Sequence, residues 1–149
     1  MKAYSHAMNL GWLGWAVLSA LFAALTAILA KVGVADVNPN LATAIRTTVI
    51  LVVTWGLVFI LDGKADFVGI TNRSWIFLIA SGLATGLSWI CYFRALKLGD
   101  VAKVAPVDKL SVAIAIILAV IFLGEKVKMQ EALGAALIVI GVVVMVVKL

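Results

Sequence analysis

Charge is scarce in this chain. Aspartate, glutamate, lysine and arginine together make up 13% of its 149 residues, against 65% hydrophobic residues. A water-soluble fold could not cover itself with so few polar groups. The solvent for most of the surface must therefore be lipid. Cysteine and histidine are scarcer still, one of each: Cys91 inside an apolar segment and His6 in the N-terminal tail. A single cysteine forms no internal disulfide, and neither residue has the neighbours that a metal site needs. There is no glycine-rich phosphate loop and no nucleophile–base pair. The chain is thus not read as an enzyme, and no metal or other cofactor is expected. Proline-, serine- and glutamine-rich linkers are missing, which leaves no room for a separate soluble domain.

The formal charge of +5 comes from single lysines and arginines near helix ends. They form no basic patch of the kind that binds nucleic acid. Such residues are the usual flanks of membrane spans, so the partners expected are the bilayer and a small molecule, with no nucleic acid.

What the chain has in abundance is long apolar runs. A bilayer-crossing helix needs about 20 such residues, and five runs qualify, at approximately 11–30, 41–61, 74–96, 104–124 and 131–147. They are too continuous for the alternation of membrane β-strands. The expected fold is an all-α, multi-pass membrane protein of the cell membrane, with residues 1–149 as one transmembrane domain. The connectors carry caps and turns: Asn38-Pro39, Thr71-Asn72-Arg73-Ser74, and Gly99, expected as a left-handed C-cap. The short turn at Gly124-Glu125-Lys126 makes the last two spans an antiparallel pair. Gly82-x-x-x-Gly86, Gly134 and Gly141, with the alanines of the first span, are expected at close helix contacts.

Five spans put the termini on opposite sides of the membrane. Lys2, Lys64, Arg73, Lys126 and Lys128 lie on the N-terminal side. Lys31, Lys97, Lys103 and Lys148 lie on the other, once Arg46, Arg94 and Lys109 are set aside as lying within spans. Five against four is almost no bias under the positive-inside rule. The chain is therefore expected to insert both ways and to form an antiparallel homodimer. A single orientation, set by a partner, is the alternative.

A charge inside a span is costly and marks a candidate site. Arg46 lies about five residues, roughly 7 Å, into the second span, and Lys109 lies at similar depth in the fourth. With Lys31 they could form a positive vestibule for an anionic or zwitterionic substrate, or the long side chains could snorkel to the headgroups. Asp108 could pair with Arg46 or Arg94, or cap a helix broken near Pro106; a simple proline kink is equally open. Ser81, Thr85, Ser88 and Tyr92 form a polar stripe on the third span, with Trp89 alongside. Trp15 and Ser19 share a face of the first span with Phe22 and Thr26. These faces could line a cavity, bond other helices, or bond back to their own carbonyls. Trp12 and Trp75 are expected in the interfacial belts.

Val104-Ala105-Pro106-Val107-Asp108-Lys109-Leu110-Ser111, followed by Leu123-Gly124-Glu125-Lys126 and then Gly134 and Ile140-Gly141-Val142, resembles the end of an EamA domain. That domain is the repeat unit of the drug/metabolite transporter superfamily. Ala30-Lys31-Val32-Gly33 with Leu41-Ala42-Thr43-Ala44-Ile45-Arg46 resembles its beginning, and Tyr92-Phe93-Arg94-Ala95-Leu96 its middle. Most members carry two inverted repeats in ten helices. The resemblance thus implies half of that architecture here, completed by a second, antiparallel copy. It implies a small-metabolite transporter working by alternating access, and leaves Glu125 a structural role, such as capping the fifth span. A non-transporting subunit that stabilises or regulates a partner membrane protein is the alternative function.

Overall fold

The computed structural model describes residues 11–62 and 69–147. Lys2, His6, Lys64 and Lys148, which entered the charge and histidine arguments, lie outside the described residues. Among the described residues five spans are present: Trp12–Val34, Pro39–Leu61, Asn72–Leu98, Val101–Leu123 and Met129–Val146. Each is long and apolar enough to cross a bilayer. The chain is an all-α, multi-pass membrane protein.

By element, α1 is Trp12–Val34 and α2 is Pro39–Leu57, which continues as a π-helical turn over Val58–Asp62. α3 is Asn72–Leu98. The fourth span is divided into α4 (Val101–Asp108) and α5 (Leu110–Leu118), with a second π-helical turn over Ala119–Leu123. α6 is Met129–Val146.

The caps explain most of the boundaries. Asn38 accepts a hydrogen bond from the Asn40 amide at 2.9 Å, and Pro39 occupies the first helical position. Both favour a helix start, so α2 begins at 39 instead of 41. Thr71 accepts from the Ser74 amide at 3.2 Å at the head of α3. Gly124 has φ 66° and closes the second π-helical turn. A left-handed C-cap thus follows the fourth span. The cap of α6 is Glu131, not Glu125: its carboxylate accepts from the Lys128 amide at 2.8 Å, close to the positive end of the helix dipole.

The chain packs as two compact units that divide between Lys97 and Leu98. In the second unit, α6 packs along both α4 and α5, as the short turn requires. In the first unit the buried residues gather at one end: Ala27, Ala30 and Val34 of α1, Thr43 of α2, and Phe93 and Leu96 of α3. None of the residues 12–26, 44–61 or 72–92 is buried. Two lysines tie that end. Lys31 Nζ donates to the Leu96 carbonyl at 2.7 Å, and Lys97 Nζ donates to the Val37 carbonyl at 2.9 Å. The Leu96 carbonyl is among the last four of its helix, which have no intrahelical donor.

The expected close contacts at Gly82, Gly86, Gly134 and Gly141 are not found among the described residues. A Cβ at Gly82, Gly86, Gly134 or Gly141 would meet nothing within 4 Å.

Candidate functional site

Arg46 lies seven residues into α2, about 10 Å along it. Across from it, Trp89 and Phe93 are four residues apart and share a face of α3. The Arg46 guanidinium carbon sits 4.4 Å from the centre of the Trp89 ring and 5.6 Å from that of Phe93. These are cation–π distances, and such contacts strengthen as water is removed. Phe93 is buried and Trp89 half-buried. Among the described residues no carboxylate pairs with Arg46, and it makes no hydrogen bond to another side chain or to a carbonyl.

Beside Arg46 lies a cavity of about 350 Å³ lined by Thr26, Leu29, Ala30, Gly33, Val37, Ala42, Ile45, Arg46 and Phe93. Its wall is hydrocarbon apart from Arg46, the Thr26 hydroxyl and backbone. A second groove, of about 420 Å³, runs on the other side of α2 between Asn40, Thr43, Thr47, Thr48 and Leu51 and, on α3, Gly86 and Ile90. Its threonine hydroxyls donate back to carbonyls one turn earlier: Thr43 to Pro39, Thr47 to Thr43 and Thr48 to Ala44, at 2.8 to 3.1 Å. That is the usual resting arrangement of threonine in a lipid-facing helix.

The remaining sequence candidates are scattered. Ser81, Thr85 and Ser88 are exposed and line neither cavity, and the Thr85 hydroxyl donates to the Ser81 carbonyl at 2.9 Å. Tyr92 is half-buried and meets Phe93 edge-on, with ring centres 6.5 Å apart. Trp15 and Ser19 are exposed on α1; of their shared face, Thr26 alone reaches the cavity. Asp108 pairs with Lys109 next to it, at 3.3 Å. With side chains 55% and 39% exposed, this pair holds little energy in water. The helix interruption falls at Lys109, which has φ −72° and ψ −8°, and its amide donates to the Pro106 carbonyl at 2.9 Å. Pro106 has no amide of its own to give, and the ladder tightens to a three-residue bond just after it. Lys31, read as part of a vestibule, is the tie to Leu96. Among the described residues no three histidine, cysteine, aspartate or glutamate side chains come together as a metal would require.

Phe93, Leu29, Val37 and Ile45 were not singled out from sequence. The available signal was the Trp89-x-x-x-Phe93 spacing, which puts two rings on one helix face opposite any cation at that depth.

Five long apolar spans define a polytopic membrane protein. More particularly, the chain belongs to the EamA-like transporter family, whose profile matches residues 10–147. It is 54% identical over 134 residues to a Sinorhizobium sp protein named "Uncharacterized transporter in cobO 3'region", covering 90% of this chain and 95% of that one. It is 29% identical over 128 residues to "Uncharacterized transporter YxxF" of Bacillus subtilis (strain 168), covering 85% of this chain but only 40% of that one. No solved structure matches the chain at a significant level.

Proposed function

We propose that the chain is a small-metabolite transporter that works as an antiparallel homodimer by alternating access, with Arg46 and its cavity holding a polar, anionic or zwitterionic substrate. The position of Arg46 carries this reading. A cation inside a span is expected to pair or to serve a ligand. Arg46 lies against the ring faces of Trp89 and Phe93 and on a cavity within the size range of small-molecule sites.

Three observations support the dimer. The near-equal lysine and arginine counts on the two sides favour neither orientation. The faces of α1, α2 and α3 away from their shared end are unburied, and the glycines there leave room for another helix. The Bacillus relative is more than twice as long as the matched part, as expected if longer members hold two repeats in one chain. In this reading Asp108 and Lys109 form a second charged element at the break in the fourth span, where transporter helices often serve a substrate. Trp89 positions Arg46, and Tyr92, Ser81, Thr85, Ser88, Trp15 and Ser19 face the second copy or its share of the pathway.

Paired reporters fused at Leu149, active on opposite sides of the membrane, test the arrangement. Comparable signals from both are expected, and signal from one alone would sink the antiparallel dimer.

A second reading is a non-transporting subunit that stabilises or regulates a partner membrane protein. It is favoured by the two acids within the described spans, both of which are engaged: Asp108 with Lys109, and Glu131 with the start of α6. Uptake by the purified chain alone in liposomes separates the two readings.

A further inference from the structure

We infer that the cavity beside Arg46 takes a small monocarboxylate bearing a hydrocarbon group, with its carboxylate on the guanidinium and its hydrocarbon against Leu29, Val37, Ile45 and Phe93. This rests on the transporter reading above and names the substrate class for the same site.

The first ground is the way Arg46 is held. Trp89 and Phe93 meet the guanidinium with ring faces at 4.4 and 5.6 Å. Ring faces use none of its five N–H donors. The donors form a rigid fork that matches a carboxylate at two points, so the group is both positioned and unspent.

The second ground is the charge balance. Arg46 is the one charged side chain among the residues lining the cavity. Lys31 and Lys97 at the same end donate to the carbonyls of Leu96 and Val37. A phosphate dianion would keep one negative charge unmatched. An amino acid would bring an ammonium to a wall with no carboxylate. Burying an unmatched charge is heavily penalised, whereas a monocarboxylate leaves none.

The third ground is the rest of the wall. Leu29, Val37, Ile45 and Phe93 offer hydrocarbon, and the volume of about 350 Å³ accommodates about ten non-hydrogen atoms, at roughly 30 Å³ for each water-sized group. A carboxylate with a short aliphatic chain or one aromatic ring fills it.

A lipid phosphodiester also carries one negative charge, so the test must separate a free ligand from a headgroup. The full chain in phosphatidylcholine nanodiscs is titrated with phenylacetate and hexanoate, and with phenylacetamide and phenethylamine as neutral and cationic counterparts. Binding is read by tryptophan fluorescence and by calorimetry. Saturable carboxylate binding is expected, with both counterparts at least about tenfold weaker. Arg46→Gln should weaken carboxylate binding by roughly 10- to 100-fold, the size of a charge-assisted hydrogen bond. Arg46→Lys, which keeps the charge but not the fork, should fall between. Replacing part of the lipid with phosphatidylglycerol should leave carboxylate binding unchanged.

Equal binding of phenylacetamide, undiminished binding in a folded Arg46→Gln variant, or displacement by phosphatidylglycerol would each overturn the inference. If Arg46→Gln does not fold, the ligand series on the native chain decides. If neither carboxylate binds, the substrate class is wrong. The transporter reading is then judged separately, by liposome uptake of other metabolites.

Discussion

Replacing Lys31 with methionine should loosen the end at which α1, α2 and α3 come together. Methionine keeps most of the aliphatic stem of lysine and removes the ammonium. In the native chain that ammonium donates at 2.7 Å to the Leu96 carbonyl. Leu96 is fully buried and lies in the last turn of α3, where no helix amide remains for its carbonyl. A hydrogen bond from a charged donor contributes about 1.5–3 kcal/mol, and the carbonyl left behind has no water to turn to. For a chain of this size, about 1 kcal/mol corresponds to a melting shift of roughly 2–4 °C, so Lys31→Met should melt about 3–12 °C lower. The assay is the fraction of monodisperse protein left after heating in detergent, read by size-exclusion chromatography. Lys97→Met is the internal control. Its ammonium makes a similar bond to the Val37 carbonyl, at 2.9 Å, but on the exposed surface, where the loss should be about 1 kcal/mol or less. If Lys31→Met melts with the wild type, or if Lys97→Met costs as much as Lys31→Met, the buried-carbonyl argument is wrong.

Other outcomes are expected elsewhere. If the proposed transporter reading holds, Lys109→Met should reduce uptake while the protein still elutes intact; unchanged uptake would remove Lys109 from the pathway. Gly124→Ala should lower thermal stability by about 1–2 kcal/mol by the same melting assay, because φ 66° strains any residue with a Cβ. Glu131→Ala removes the acceptor for the Lys128 amide and should cost about 1 kcal/mol, while Glu125→Ala should not. Trp89→Leu should weaken substrate binding through Arg46, and Trp89→Phe, which keeps a ring face, should restore part of it.

The spans were legible in the sequence because lipid demands a long, unbroken apolar run, and nothing else in a chain looks like one. Their ends were less so. The first span runs past Ala30 to Val34, since Lys31 can stay helical while its ammonium reaches another helix. Gly124 follows a leucine at a span end, and composition alone cannot tell that its backbone turns left-handed. Glu125 and Glu131 differ only in distance from the helix start, and three residues is the spacing that lets a carboxylate reach back to the first amide. Arg46 was visible as a charge where charges are costly. Its aromatic partners belong to another span more than forty residues away, and only the packing brings them together. The pairing of Asp108 with Lys109 shows the converse: adjacent residues on a helix point about 100° apart, yet a long lysine side chain can still fold back.

The gathering of buried residues at one end of α1, α2 and α3 has a mechanical consequence. A helix of 23 residues is about 35 Å long. Fixed at one end, it is a lever: tilting it by about 10° swings its far tip by roughly 6 Å, slightly more than the 5.4 Å pitch of a helix. The residues near the fulcrum, Arg46 and Phe93 among them, would move only a small fraction of that distance. A ligand could therefore be gripped almost unchanged at one level of the membrane while the chain rearranges widely at another.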